Sequence, residues 1–253
     1  MLTIALACAG GAWLWWQTTS GTRVLRELRP TVPPGAASTV RAWYAIPDLP
    51  QPIAQFQTVF WEPDDTQSLR AWIAQPEHMQ AKRVLEIGPG TGLLSLCCLA
   101  AGAREVLAID VNPAAVANTR YNAMQLGWNE QVFQVRLLDD PRRSPMSEVA
   151  PGRVFDVILS NPPWEDATIE SVDQYALYDP GFALCQSLLQ ETSAHLALGG
   201  KLLLVYGAKT AIRYVLDHAP AAGWHVKILD SREFEQLDEV FLPGMLLELT
   251  RSP

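Results

Sequence analysis

Hydrophobic and polar positions divide this chain into three regimes. Met1 to Trp16 is almost wholly apolar. Prolines at 30, 33, 34, 47, 50 and 52 then interrupt a stretch too broken for long helices or central strands. From Thr66 onward the pattern becomes regular. An amphipathic stretch, Ser68 to Ala74, leads to an apolar run at Arg83 to Ile87. A helical pattern follows at Leu93 to Ala101, a strand at Val106 to Ile109, and a helix at Ala114 to Leu126 opened by Pro113 and closed by Gly127. Phe133 to Leu138 and Phe155 to Ser160 read as strands, Pro180 to Leu198 as a helix ending on Gly199-Gly200. Lys201 to Tyr206 is the next strand, Ala211 to Ala221 a helix, and Trp224 to Leu229 and Met245 to Leu249 the last two strands. Such alternation predicts an α/β fold with a doubly wound, seven-stranded, mostly parallel sheet, whose ligands sit at the carboxyl ends of the strands. No helix separates the final two strands, so the sheet is expected to close on an antiparallel hairpin.

This divides the chain into a hydrophobic segment over 1–19, a proline-rich linker and cover over 20–57, and one α/β domain over 58–253. The first segment is short for a membrane span of about 20 residues but reaches that length by including Gln17 to Thr19. Trp13, Trp15 and Trp16 suit an interfacial belt, and Arg23, Arg26 and Arg29 behind them predict a cytoplasmic flank. An uncleaved anchor is therefore expected, with a cleaved signal or a packed helix as the alternatives. The chain is 253 residues long with 49% hydrophobic and 18% charged residues, enough to bury a substantial core. Its net charge of -8 argues against a nucleic-acid substrate, which calls for a basic face. Cys97 and Cys98 are adjacent, Cys8 and Cys185 isolated, and no Cys/His spacing suggests a metal site.

Two motifs carry the chemistry. Val84-Leu85-Glu86-Ile87-Gly88-Pro89-Gly90-Thr91-Gly92 follows a buried strand and precedes a helix. Its glycines permit a tight turn and close approach of backbone to a ligand. The spacing is one residue shorter than the dinucleotide fingerprint, and Glu86 would repel a pyrophosphate. Asp110 ends the second strand, where an acid can accept from both ribose hydroxyls; the alternative, capping the helix at Pro113, suits Asn112 better. The second motif, Asn161-Pro162-Pro163-Trp164, closes the apolar run ending at Ser160. An amide or aniline-like nitrogen is a poor nucleophile because its lone pair is delocalised. The Asn161 side-chain oxygen and the Pro162 carbonyl are suited to accept its two N–H groups, pulling it towards tetrahedral geometry, while proline holds the loop extended.

In this order, the two motifs resemble those of class I S-adenosylmethionine-dependent methyltransferases. The likeness is to the branch that includes the release-factor glutamine N5-methyltransferases, the N6-adenine and N2-guanine enzymes and the broad small-domain group. Val59-Phe60-Trp61-Glu62-Pro63-Asp64-Asp65-Thr66 is similar to that family's segment before the glycine motif, and Ala176-Leu177-Tyr178-Asp179-Pro180-Gly181 to the one after the clamp. The resemblance covers roughly residues 58 to 250.

It implies S-adenosyl-L-methionine as cofactor, with Glu86 on its amino group, Gly88, Gly90 and Gly92 forming the turn, Val111 against adenine, and an acid after the third strand on the adenine amino group. Alternation lets only one of Asp139 and Asp140 face the pocket, and Asp139 is the expected one. Asn161, Pro162 and Trp164 become the reacting site, Trp164 stacking on a planar acceptor. Glu165, Asp166, Tyr175 and Tyr178 are candidates for shaping the acceptor pocket. The chain departs from the family in having Trp at the fourth clamp position instead of Tyr or Phe. It also lacks an arginine in the first segment, and apolar and proline-rich segments stand where the glutamine enzymes have a helical domain. The expected activity is N-methylation of an amide or amino group in a protein or small molecule near a membrane. The alternatives are a nucleic-acid base as acceptor and a non-catalytic, membrane-anchored cofactor-binding protein.

Overall fold

In the computed structural model, residues 39–251 are described, together with the backbone of two short strands, β1 (Trp16–Thr19) and β2 (Thr22–Leu25). The apolar segment up to residue 15, on which the expected anchor falls, lies outside the described residues. Gln17 to Thr19, expected to lengthen a span, belong to β1. No helix among the described residues is long and apolar enough to cross a membrane.

Residues 20–57, expected to form a linker and cover without long helices or central strands, contribute strands β3 (Val40–Ala45) and β4 (Ile53–Phe56), which complete a four-stranded antiparallel sheet with β1 and β2. The prolines at 47, 50 and 52 fall in the connection between β3 and β4, where a missing N–H costs nothing.

The larger sheet begins after two helices, α1 (Gln67–Ile73) and α2 (Pro76–Met79). Its elements follow as β5 (Arg83–Ile87), α3 (Leu93–Ala100), β6 (Glu105–Asp110), α4 (Pro113–Gln125), β7 (Phe133–Leu137), β8 (Phe155–Ser160), α5 (Ala183–Glu191), β9 (Leu196–Ala208), α6 (Lys209–His218), β10 (Trp224–Ile228) and β11 (Val240–Arg251). The strand order is β10-β11-β9-β8-β5-β6-β7, with β11 antiparallel to both neighbours and the central pairs parallel. The expected seven-stranded sheet with an antiparallel end is therefore present.

Side-chain alternation splits the core into two layers. Val84, Val106, Val157, Leu159, Leu203 and Val205 pack under α1, α3 and α4. Leu85, Ile87, Leu107, Ile158, Leu202 and Leu204 pack under α5 and α6. Glu86 shares the face of Val84, so it points at α3.

Three elements differ in extent from the sequence reading. The helix expected over 180–198 is cut to Ala183–Glu191, because Gly181 (φ 63°) and Phe182 (φ 53°) are left-handed and Thr192–His195 tightens into a 3-10 turn. Strand β9 runs through Gly199-Gly200, which the sequence suggested would only end a helix. The last strand is longer as well, since Val240 already pairs with Ala208 across a register shift.

Candidate active site

The carboxyl ends of β5, β6 and β8 open on a cleft of about 450 Å³, within the range of small-molecule sites. Three bonds bring these ends into register. Gly88 N–H donates to Ile109 O (2.9 Å), Ser160 Oγ to Ile87 O (2.7 Å), and Gly90 N–H to Asp110 Oδ2 (3.1 Å). All three motif glycines have positive φ: Gly88 +74°, Gly90 +57° and Gly92 +85°. A methyl group at Gly88 would meet nothing within 4 Å, so the backbone there is bare to a ligand. Gly92 plays a different part. A Cβ on it would lie 3.0 Å from Thr119 Cγ2, and it packs α3 against α4 and does not line the cleft.

Two carboxylates flank this loop. Glu86 is buried and its carboxylate accepts a hydrogen bond from the Ser95 hydroxyl of α3. Burial pushes its pKa up to about 7, against the Ser95 bonds, which favour the charged form. Asp110, half-buried, also accepts from Asn112 N–H (2.8 Å), and burial raises it to about 6. Asn112, not Asp110, caps α4 by accepting from Ala114 N–H (2.9 Å). A buried acid short of a cation, an acid at the end of the next strand, and a side-chain-free loop between them fit a ligand with an ammonium at one end and a sugar diol at the other. S-adenosylmethionine has that form. Val111 lines the cleft beside them.

Asn161 and Pro162 line the cleft at the end of β8. Trp164 does not, contrary to the expected stacking on an acceptor. Its ring packs over Gly207 of β9, where a Cβ would lie 2.4 Å from the indole, and its Nε1–H donates to Asn161 Oδ1 (3.3 Å). The missing side chain at Gly207 is what draws the ring inward.

Residues Val59 to Pro63 form one wall, with Trp61 stacked on Tyr44 of β3 at 4.2 Å between ring centroids. Opposite stands a loop whose 3-10 turn, Val172–Ala176, carries Tyr175 into the cleft, with Tyr178 beside it. That loop is closed at its base by Asp179 N–H donating to Glu165 O (2.8 Å). Of the four acceptor-pocket candidates, Tyr175 and Tyr178 reach the cleft. Glu165 and Asp166 do not; Asp166 Oδ1 accepts from Gly181 N–H (2.7 Å) and pins the loop. Asp179 is buried and accepts from Leu184 and Cys185 N–H at 2.8 and 3.0 Å, securing the start of α5.

Asp139 is exposed and away from the cleft, so the structure does not bring it to the other predicted residues. Strand β7 ends at Leu137, and beyond it alternation no longer governs direction. Asp140 turns back to hold Arg142 through paired bonds of 2.9 Å. Sequence reasoning also missed Asn118 and Asn122, which are fully buried on α4. Asn122 Oδ1 accepts from Ala54 N–H (2.8 Å), while its Nδ2 donates to Ala54 O (2.8 Å) and to Thr91 O (2.9 Å). Asn118 makes the equivalent pair with Phe56 N–H and Ala54 O. The smaller sheet is thereby bolted to the glycine loop. Two asparagines four apart on the inward face of a helix were the available signal.

Comparison with known proteins identifies the family. The family model for the methyltransferase small domain matches residues 66–220. The release factor glutamine methyltransferase of Cereibacter sphaeroides is 30% identical over 228 residues, covering 79% of this chain and 77% of that protein. A Methanocaldococcus jannaschii relative with the provisional name protein N5-glutamine methyltransferase is 31% identical over 153 residues, 58% of this chain and 73% of its own. Enzymes named for methylation of ribosomal RNA and of tRNA adenine also appear among the relatives. In fold, the chain matches a methyltransferase from Agrobacterium tumefaciens with a TM-score of 0.60 at 16% identity, over 95% of this chain and 77% of that one. The chain belongs to the methyltransferase small domain family and is an S-adenosylmethionine-dependent methyltransferase.

Proposed function

We propose that this enzyme methylates the nitrogen of a carboxamide, of the kind carried by a glutamine side chain, in a protein or a small molecule. The observation that carries the reading is the placement of Asn161 and Pro162 in the cleft beside Glu86 and the glycine loop. When bound, the cofactor supplies an electrophilic methyl group on a sulfonium. Glu86 holds its ammonium, Asp110 its ribose hydroxyls, and Val111 packs against its base. The Asn161 Oδ1 and the Pro162 carbonyl accept the two N–H groups of the acceptor, which frees the nitrogen lone pair and aims it. No strong base is needed before transfer, and positioning of this kind accounts for up to about 7–11 kcal/mol of barrier lowering.

The charge of the cleft supports a neutral acceptor over a polyanion. Glu62, Glu86, Asp110, Asp173, Asp179 and Glu191 line it, against Arg142 and Arg143. Phosphates entering there meet repulsion where nucleic-acid enzymes present cations. The RNA-modifying relatives keep a base nitrogen, adenine N6 or guanine N2, as the second reading, because an exocyclic amine presents the same two N–H groups.

The test is transfer of labelled methyl from S-adenosylmethionine to a glutamine-containing peptide, total tRNA and rRNA, and a fractionated lysate. Label on peptide or lysate protein, absent with Asn161→Ala, supports the proposal. Label confined to RNA replaces it with the second reading.

A further inference from the structure

With Trp164 seated on Gly207, the flat face of an acceptor group is left for another side chain to cover. The wall segment over residues 58–66 is placed to do so, because it crosses the site from the cofactor loop to the clamp. At one end Asn112 Nδ2 donates to Thr58 O (3.0 Å), and Phe60 O stands 3.9 Å from where a Cβ on Gly90 would lie. At the other end Gly244 N–H donates to Asp65 O (3.0 Å). A Cβ on that glycine would lie 3.5 Å from the Tyr206 carbonyl carbon, one residue before the Gly207 that carries the Trp164 ring. Trp61 lines the cleft between these two ends.

The turn that starts this segment is strained. Thr58 is left-handed, with φ of +63°, a conformation that a β-branched residue rarely adopts. Such a turn persists only where its surroundings fix it, and here the small sheet does so. Gln55 of β4 is 3% exposed; its Nε2 donates to Val59 O (2.7 Å) and its Oε1 accepts from the Tyr44 hydroxyl of β3 (3.2 Å). The Tyr44 ring in turn lies against Trp61, with 4.2 Å between centroids and 20° between planes. One buried amide therefore sets both the backbone before Trp61 and the ring behind it. Phe60 is the exposed neighbour, at 37%, so the fixed aromatic surface of the wall is the indole.

We propose that Trp61 is the aromatic wall of the transfer site, against which the planar acceptor group lies while Asn161 holds its N–H groups, and that Tyr44 and Gln55 are positioning residues that keep it there. The acceptor role rests on the reading of Asn161 as the clamp; the place of Trp61 between cofactor and clamp does not. The small sheet is thereby a strut of the transfer site and not only a cover beside it.

The experiment uses the full chain. Trp61→Ala removes the wall, Trp61→Phe keeps a smaller ring, Tyr44→Leu removes the ring behind it, and Gln55→Leu cuts both bonds of the buried amide. Kinetics use a glutamine peptide, or total tRNA should wild type methylate only RNA. Calorimetry gives S-adenosylhomocysteine affinity, and NMR follows the ¹⁵N-labelled Trp61 indole, assigned by its loss in Trp61→Phe. Trp61→Ala is expected to raise the acceptor KM about tenfold and Trp61→Phe to regain most of that, with S-adenosylhomocysteine affinity within about threefold in both. Tyr44→Leu and Gln55→Leu are each expected to raise KM about threefold and to move the Trp61 indole signal, which also moves when S-adenosylhomocysteine is added. A wall with only a structural part would lose cofactor affinity as steeply as acceptor affinity, because the same segment carries Phe60 O over Gly90. That result would overturn the proposal, as would an acceptor KM in Trp61→Ala within about twofold of wild type. Should wild type methylate neither acceptor, the clamp reading fails, and the indole still decides the placement: a signal unmoved by S-adenosylhomocysteine and by Tyr44→Leu overturns it. If Trp61→Ala does not fold, Tyr44→Leu carries both measurements.

Discussion

Glu86→Gln should make the free enzyme more stable at neutral pH and weaken its grip on the cofactor. Glu86 is 1% exposed, faces α3, and has only the Ser95 bonds to favour its charge; burial lifts its pKa from 4.5 to about 7. A carboxyl raised on folding contributes stability that is complete below pH 4.5 and is lost as pH rises through 7. The full difference, at about 1.36 kcal/mol per unit, reaches about 3 kcal/mol by pH 8, and the glutamine variant escapes it. An ammonium ligand reverses the balance, because the complex needs the ionised acid. For one such group with a free-enzyme pKa of about 7, affinity falls about 50-fold, or about 2.3 kcal/mol, between pH 7 and pH 5. Asp110, raised to about 6, contributes a further tenfold or so if its charge is also required. Titration calorimetry with S-adenosylhomocysteine, which has the ammonium but no sulfonium, measures this in a window below the ligand's own amine titration. Wild type should lose affinity steeply towards pH 5 and release protons on binding; Glu86→Gln should bind weakly at pH 7 and lose only about tenfold more. Affinity that is flat from pH 7 to 5 in wild type, or a Glu86→Gln variant that binds as well and melts no higher at pH 8, would refute the assignment of Glu86 to the ammonium.

Three further outcomes follow from the packing around the cleft. Asn122→Ala strands Ala54 N–H and Thr91 O in a buried setting, so chemical denaturation should show a loss of about 2–4 kcal/mol. Gly92→Ala combines a left-handed φ of +85° with a Cβ contact of 3.0 Å to Thr119, and thermal melts should show it destabilised by about 1–3 kcal/mol, with cofactor affinity reduced because the loop shifts. Asp140→Asn removes the ion pair to Arg142 at an exposed site, and cofactor affinity should remain within about twofold in the same calorimetric assay.

What could be read from the chain and what could not divide along one physical line. The glycine loop, Glu86, Asp110 and the Asn-Pro-Pro turn are set by residues within one strand-to-helix connection, where backbone freedom, strand alternation and proline decide the geometry locally. Their places at the sheet's carboxyl edge therefore followed from the sequence. Trp164 is different: its direction depends on Gly207, an absent side chain on another strand, and no property of the four-residue motif encodes that absence. Asn122 answers to Ala54, 68 residues away. Asp139 was placed by extending alternation past the last paired residue of β7, where the rule has no cause to hold. Within the expected linker and cover, the edge strand β4 is held by Asn118 and Asn122, which supply from a helix the hydrogen bonds that an edge strand otherwise leaves open.

The clamp shows the same division within a single residue. Its position at the end of β8 is local and legible, whereas its side-chain oxygen meets the indole N–H of Trp164, whose ring is seated on β9. Substituting Asn161 removes both properties at once and cannot tell them apart. Only a change such as Trp164→Phe, which leaves the amide in place while removing the indole N–H, can show how much of catalysis depends on the way the oxygen faces.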